Sequence, residues 1–393
     1  MTKLNLATLR QLAKTDSSIF ISLVAPMQRA GREVRQNEIR WKNMLKEAKQ
    51  QILDRGRDES HTNSLLKPAA DKLPNDYYWQ HQLDGLAVYR SDDDCFEFLL
   101  PSSPEQRVVV ADQFHLSPLL SHVNNMDCCY VLATSPNRIR LLEINGEAIE
   151  ELQPEKLPEN LRDALNIDDY VSALQFHSTS NGSVHGKQAA AFHGNEGSDA
   201  DVKKQAELLQ FFRRLDRSLS QYPGSEEMPL IFAGADYLFP IFQKASNYRN
   251  LLHDHISGNL DDTTPDDIHQ LVRPILDRST KSQQAAIIVN YQEKAFTDWA
   301  SNDPHEIFLA AKMGQIETLI LSDEYSDQGV FKDDDSLEIT SDNQPNSFDV
   351  GNMILIEVLR NGGNAIEVDG GEMPGQSKLA AVFQSPAGKY ADS

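Results

Sequence analysis

The apolar positions of the chain recur at two different periods, and their succession divides it into strands and helices. Ile19 to Val24 is a run of strand length, apolar except for Ser22, which predicts a buried strand followed by a loop from Ala25 to Gly31. The period then becomes helical as far as about Leu53. Val34, Trp41, Leu45, Ala48 and Ile52 step by seven, four, three and four, so they share one helix face. Arg35, Lys42, Lys46 and Lys49 repeat the first three of those steps one position later, about 100° around the axis, and set a basic ridge beside the apolar stripe. An ordinary solvated face would carry the same pattern. Shorter strands are expected at Gly85 to Tyr89, Phe96 to Leu100 and Arg107 to Ala111, with Asp92 to Asp94 as a turn.

A second region opens at Cys128. Cys128 to Ala133, Arg138 to Ile144 and Ala148 to Leu152 read as a meander whose last turn is Asn145-Gly146, a strong hairpin signal. From Gln175 to Ala200 the chain is rich in Gly, Ser, Asn and His, a loop long enough to be either functional or disordered. A helix follows with Ala206, Leu209, Phe212, Leu215 and Leu219 as its buried stripe, then a strand at Pro229 to Ala233. Thr264 with Pro265 behind it starts a long helix, since threonine caps and proline suits the first helical position. The last region alternates a helix from Asn302-Asp303-Pro304 to Met313, a strand at Ile316 to Leu321, a helix capped by Ser347 or Asp349 through Arg360, and strands at Ala365 to Val368 and Leu379 to Phe383. This order predicts a small α/β sandwich, with the acidic stretch Asp323 to Asp342 as a mobile loop.

Composition narrows the class. A chain of 393 residues with 40% hydrophobic positions supports two or three domains, and no apolar run approaches the ~18 residues of a membrane span. Leu6, Leu9 and Leu12 suit a short amphipathic helix rather than a signal-peptide core, so a cytoplasmic location is expected. Cys95, Cys128 and Cys129 lack zinc or redox spacing. A formal charge of −22 argues against general nucleic-acid affinity, but the charge is uneven. Arg29 to Arg57 holds nine bases and four acids, whereas Asp303 to Asp349 holds twelve acids and two bases. The acidic end suits a basic protein partner.

Other constellations are weak. His253 and His255, spaced by two, would face different sides of a helix, and His177, His185 and His193 have no acid or cysteine at ligand spacing, so no metal is expected. Gly362-Gly363 and Gly370-Gly371 lack the ending of a phosphate-binding loop, and no Gly-x-Ser-x-Gly elbow occurs. No cofactor is expected.

The segment order resembles the bacterial relatives of the archaeo-eukaryotic class I peptide chain release factor and of pelota. Leu86-Ala87-Val88-Tyr89-Arg90, the strand from Phe96 to Pro101 and Phe114-His115-Leu116-Ser117-Pro118-Leu119 look like the end of that family's N-terminal domain. Cys128 to Leu152 looks like the opening of its middle domain, Pro229 to Gly234 like the strand and glycine after that domain's long helix, and Met373-Pro374 with Ala380 to Phe383 like its C-terminal ending. Leu23-Val24-Ala25-Pro26 with Gly31-Arg32-Glu33 looks like the bacterial branch.

The resemblance implies a mixed α/β (α+β) protein of three release-factor-like domains: 1–124; 125–297, carrying the release-type loop at about 177–198; and 298–393, an α/β sandwich of the kink-turn-binding ribosomal protein type. It also implies a ribosome-associated factor, with rRNA and peptidyl-tRNA as partners and ribosome rescue or termination as its task. The family's middle domain carries a Gly-Gly-Gln loop that promotes hydrolysis of the peptidyl-tRNA ester. The matching stretch here is His185-Gly186-Lys187-Gln188, so Gln188 and Gly186 are the implied catalytic residues. Lys187 stands where the second glycine would, and lysine reaches positive φ only at a cost. Under this reading His185 and Lys187 contact RNA, and Arg35, Lys42, Lys46 and Lys49 meet rRNA phosphates. The alternative from another class is a noncatalytic, stress-related or protein-binding scaffold that keeps the architecture.

Overall fold

The computed structural model describes residues 4–29, 31–124, 128–135, 137–146, 148–153, 197–220, 228–333, 336–340, 347–375 and 377–386. The chain is mixed α/β and groups into two compact units, one of residues 1–126 with 280–393 and one of residues 127–279.

In the first segment of the larger unit, Asn5 caps α1 (Leu6–Lys14) by accepting the Thr8 N–H at 2.8 Å. Strand β1 (Phe20–Pro26) leads through a short 3-10 turn to α2 (Arg35–Asp54), α3 (Glu59–Ala70) and α4 (Asp76–Gln80). Then come β2 (Gly85–Arg90), β3 (Cys95–Leu100), β4 (Arg107–Ala111) and α5 (Ser117–Asn124). The four strands form an antiparallel sheet in the order β3-β2-β1-β4. Both faces are covered, and the alternation of a strand decides which residue goes where. Ile21, Leu23 and Ala25 of β1 face Trp41, Leu45, Ala48 and Ile52 of α2, while Phe20 and Val24 face the opposite way, onto Phe114 and α1. The outer edge of β4 is occupied by a side chain: Gln51 of α2 accepts the Val110 N–H at 3.1 Å and donates to the Val108 carbonyl at 3.2 Å, so its amide stands in for a neighbouring strand.

The second unit begins with β5 (Cys128–Thr134), β6 (Ile139–Asn145) and β7 (Ala148–Leu152), the antiparallel meander expected around the Asn145-Gly146 turn. Gly146 takes φ +60 at the Asn-Gly turn, which its missing Cβ permits. Helix α6 (Gly197–Ser220), β8 (Leu230–Gly234), α7 (Phe239–Ala245) and β9 (Ile256–Ser257) follow. The sheet order is β7-β6-β5-β8-β9, with β8 parallel to both β5 and β9. The stripe of α6 is shifted from its expected register. Leu208, Phe211, Phe212, Leu215 and Leu219 are buried, Leu209 is only partly so and Ala206 is exposed. Two adjacent phenylalanines outweigh one alanine, each worth roughly 2–3 kcal/mol on burial.

Helix α8 (Pro265–Lys294) begins in this unit and ends in the larger one. After it come β10 (Ala300–Ser301), α9 (Pro304–Lys312), β11 (Ile316–Ser322), β12 (Gln328–Asp333), β13 (Ser336–Thr340), β14 (Phe348–Asp349), α10 (Val350–Arg360), β15 (Asn364–Val368) and β16 (Leu379–Phe383). The main sheet here runs β10-β16-β11-β15. Leu319 and Leu321 face α9 and α10, while Ile320 faces Tyr291 and Ile287 of α8, which gives helices on both sides. The acidic stretch expected to be a mobile loop is instead built around the hairpin of β12 and β13, which with β14 makes a third small sheet. Lys332 and Glu338 are exposed and pair at 2.8 Å, while Leu337 and Gly329 close on Val350.

The two chain segments of the larger unit share one apolar core, in which Leu12, Val24, Tyr89, Phe114 and Leu120 pack with Phe308, Leu319, Ile354 and Phe383. Buried polar contacts fix the register. Asn352 accepts from the Leu116 N–H at 2.6 Å and the Ser117 N–H at 3.2 Å, and donates to the Phe114 carbonyl at 2.9 Å. At the far end Arg10 donates to the Gly362 and Gly363 carbonyls at 2.9 and 3.0 Å, and Arg360 donates to the Ala13 carbonyl at 2.6 Å, so each helix C-terminus is capped by the other's arginine. Among the described residues no helix is long and apolar enough to cross a membrane.

Candidate functional site

The basic ridge exists as side chains on one exposed side of α2. The helix is fixed from beneath by Trp41, wholly buried, whose indole N–H donates to the Ala69 carbonyl at 2.9 Å. Arg35, Lys42 and Lys46 are exposed. Lys49 is half-buried and pairs with Glu59 of α3 at 2.8 Å, and this contact holds the Glu59 carboxyl below its ordinary range. A phosphate at Lys49 would have to displace that carboxylate, so the freely offered charge of the ridge is Arg35, Lys42 and Lys46. Ile39, 60% exposed, lies between them on the same face.

His185, Gly186, Lys187 and Gln188 lie outside the described residues, as do His177 and His193. What is described is the ground at which their segment begins. Strand β7 ends at Leu152, and the residue before it, Glu151, is bound by two arginines of the meander, Arg138 at 2.7 Å and Arg140 at 3.1 Å. Arg140 also donates to the Leu260 carbonyl at 3.0 Å, while Ser135 donates to Asp261 at 2.8 Å, which ties the 259–261 turn to the β5–β6 turn. Behind them β5 and β8 lie too close for a side chain. Thr134 donates to the Ala233 carbonyl at 3.2 Å, and a Cβ on Gly234 would stand 2.5 Å from the Thr134 hydroxyl. This is the carboxyl end of the parallel strands, where open α/β sheets present their functional loops.

Asp236, His255 and Ser257 meet at the same end of the sheet. Ser257 donates to the Asp236 carboxylate, His255 lies 3.1 Å from the same oxygen, and its ring stacks on Phe239 with centroids 4.4 Å apart. The Ser257 contact foremost, then His255, holds the exposed Asp236 carboxyl below its ordinary range. The order of groups excludes a hydrolytic triad, because the imidazole of a triad stands between hydroxyl and carboxylate, whereas here the carboxylate stands between the other two. His253 and His255 precede β9 in non-helical chain, and the described residues hold no group of three metal-ligating side chains. Sequence reasoning overlooked the outer side of α6, where Arg213, Arg214 and Arg217 are exposed opposite the buried phenylalanines. Their spacing of one and three carried the signal, hidden by the net acidity of the chain.

Residues 129–277 match the model of the bacterial archaeo-eukaryotic release factor family 7. Solved structures similar to this chain include Dom34 of S. cerevisiae, at 12% identity and a TM-score of 0.39 over 78% of this chain and 75% of that one. The Pelota of Archaeoglobus fulgidus is 9% identical, with a TM-score of 0.32 over 99% and 95%. The archaeal termination factor aRF1 is 12% identical, with a TM-score of 0.22 over 97% of each chain. No curated protein matches. The family match covers the meander, α6, β8 and most of α8's first half, and within that segment the chain is similar to the bacterial archaeo-eukaryotic release factors.

Proposed function

We propose that this protein is a cytoplasmic translation factor that binds the ribosome and acts on peptidyl-tRNA through its middle domain. The observation that carries the reading is the family match over residues 129–277, the region whose sequence holds the Gln188 loop. The three-domain division 1–124, 125–297 and 298–393 belongs to the same proposal, as does a basic protein partner at the acidic C-terminal end. In the proposed reaction a water attacks the ester carbonyl that joins the nascent chain to the terminal ribose. A carbon–oxygen bond forms to the water, the ester bond to the ribose breaks, and the water's proton ends on the departing ribose oxygen. Gln188 would orient the water, Gly186 would give the loop its close approach, and donors held in place would meet the developing oxyanion. His185 and Lys187 would touch RNA beside it. Arg35, Lys42 and Lys46 would meet rRNA phosphates, with Lys49 joining on release from Glu59.

Two measurements decide the matter. Sedimentation through a sucrose gradient at graded salt should show the protein travelling with ribosomes at low salt. Peptidyl-tRNA release on those ribosomes should fall on Gln188→Ala. A protein that never travels with ribosomes ends the translational reading, and a release rate indifferent to Gln188→Ala ends the catalytic one.

A further inference from the structure

Aromatic packing fixes the rotation of α6 about its axis. The Phe212 ring lies 6.0 Å from that of Phe232 on β8 and 5.4 Å from that of Phe242 on α7, and Leu208, Phe211, Leu215 and Leu219 are buried beside it. At 3.6 residues per turn, Arg213, Arg217 and Arg214 then fall about 100°, about 140° and about 200° around the axis from Phe212. All three are exposed, as is Gln210, which falls in the same arc. Residues three and four apart are neighbours on a helix, so this turn presents three guanidinium groups side by side. Its one acid is turned inward. Asp216 is 5% exposed and accepts from the Ser246 hydroxyl at 2.6 Å and the Asn247 N–H at 3.1 Å, at the end of α7. Towards the start of the helix the nearest acid is Glu207, half-buried and about 10 Å of axis before Arg214.

Like charges three and four residues apart weaken a helix, so this arrangement works against the fold and suits an anion. Chemistry decides which anion. An acidic protein surface would need apolar anchors at the centre of the contact, and among the described residues none of the exposed large apolar side chains lies on α6. A phosphate backbone needs no such anchor. Guanidinium groups meet phosphate oxygens in bidentate pairs, and an amide such as that of Gln210 adds a neutral donor between them. The chain as a whole carries a formal charge of −22, so a polyanion is repelled from most of its surface and is accepted where bases are concentrated.

We infer that the outer face of α6 is an RNA-binding surface, on which Arg213, Arg214 and Arg217 hold the phosphate backbone. The inference deepens the ribosome reading and rests on it for the source of the RNA. The probe is a fluorescently labelled RNA hairpin with a stem of about 16 base pairs, titrated with the full chain at graded salt. Replacing the three arginines together by glutamine should lower the slope of log K against log salt by about 2 to 3. Between about 50 and about 200 mM salt the parent should therefore lose about 40-fold more affinity than the variant does. Replacing them by lysine keeps the charge and should keep the parent's slope. The same loss of charge at Lys67, Arg273 and Lys281, exposed on other helices, should leave binding nearly unchanged. Because the three arginines are exposed, the glutamine variant should melt with the parent, and that check separates lost binding from lost fold. A parent-like slope in the glutamine variant overturns the inference, and so does a parent that does not bind the hairpin. Polyglutamate that displaces the hairpin at equal charge concentration would point to an acidic protein partner and overturn it as well. A ribosome gradient separates the two ideas. Travel with ribosomes and no arginine effect on the hairpin sink this site alone, while arginine-dependent hairpin binding without travel sinks the ribosome reading alone.

Discussion

Glu367 offers the sharpest test of how the larger unit is held together. It lies on β15 in register with Leu321 of β11, and its backbone carbonyl accepts from Gln284 of α8 at 3.0 Å. Burial foremost, then the nearby Asp323 carboxylate, raises its carboxyl from 4.5 to about 7, while a hydrogen bond from Ser121 of α5 pulls weakly the other way. The sign follows from linkage. The folded state holds a proton on Glu367 that the unfolded chain gives up, so the stability tied to this group is whole below pH 4.5 and is lost as pH rises towards 7. Glu367→Gln keeps shape and a hydrogen-bonding oxygen for Ser121 but cannot ionise. With those two pKa values, the variant should be more stable than the parent by about 3 kcal/mol at pH 8 and by under about 1 kcal/mol at pH 5. For a cooperative body of roughly 200 residues this is about 6–12 °C in melting temperature at pH 8. Differential scanning calorimetry of both proteins at the two pH values reads the difference directly. Equal shifts at pH 5 and pH 8 would mean that the gain comes from packing, and no shift at pH 8 would mean that water or a cation neutralises the carboxylate; either result refutes the reasoning.

Two further predictions concern the same unit. Asn352→Leu strands two backbone N–H groups, of Leu116 and Ser117, and the Phe114 carbonyl, and at about 1–3 kcal/mol for each buried unsatisfied group it should cost at least about 3 kcal/mol in urea unfolding. A loss below about 1 kcal/mol would show that water replaces the amide. His115 is only 5% exposed, and burial foremost pushes its imidazole below the ordinary range while Asp349, 3.9 Å away, and Arg107 act in opposite directions. Its contribution to stability is therefore present above pH 6.5 and declines as pH falls, and proton NMR should show its ring titrating below 6.5. A midpoint at or above 6.5 would show that Asp349 prevails.

How much of this was legible in the sequence depends on whether the cause is local. The strands β1, β6 and β11 follow from apolar runs of strand length, and Thr264, Asp303 and Asp349 mark helix starts because a cap is a contact between residues two or three apart. Helix α3 escaped notice, and Pro68 sits inside its last turn, where the missing N–H leaves the carbonyl four residues back without its helical donor. The β12–β13 hairpin was hidden by the density of acids in the sequence, because a charge count does not show that Gly329 and Leu337 close on Val350. Longer-range facts were not there to read. That Lys49 is spent on Glu59 requires α3 to lie against α2, and that Leu12 and Ile354 share a core requires pairing two apolar faces more than three hundred residues apart, for which hydrophobicity carries no address. The same limit explains the site. A resemblance in order could point to Gln188 and a period could point to the ridge, but that Trp79 packs on Trp41 while Tyr77 stays exposed is visible only in the fold. A residue turned out by packing is visible only once the packing is known.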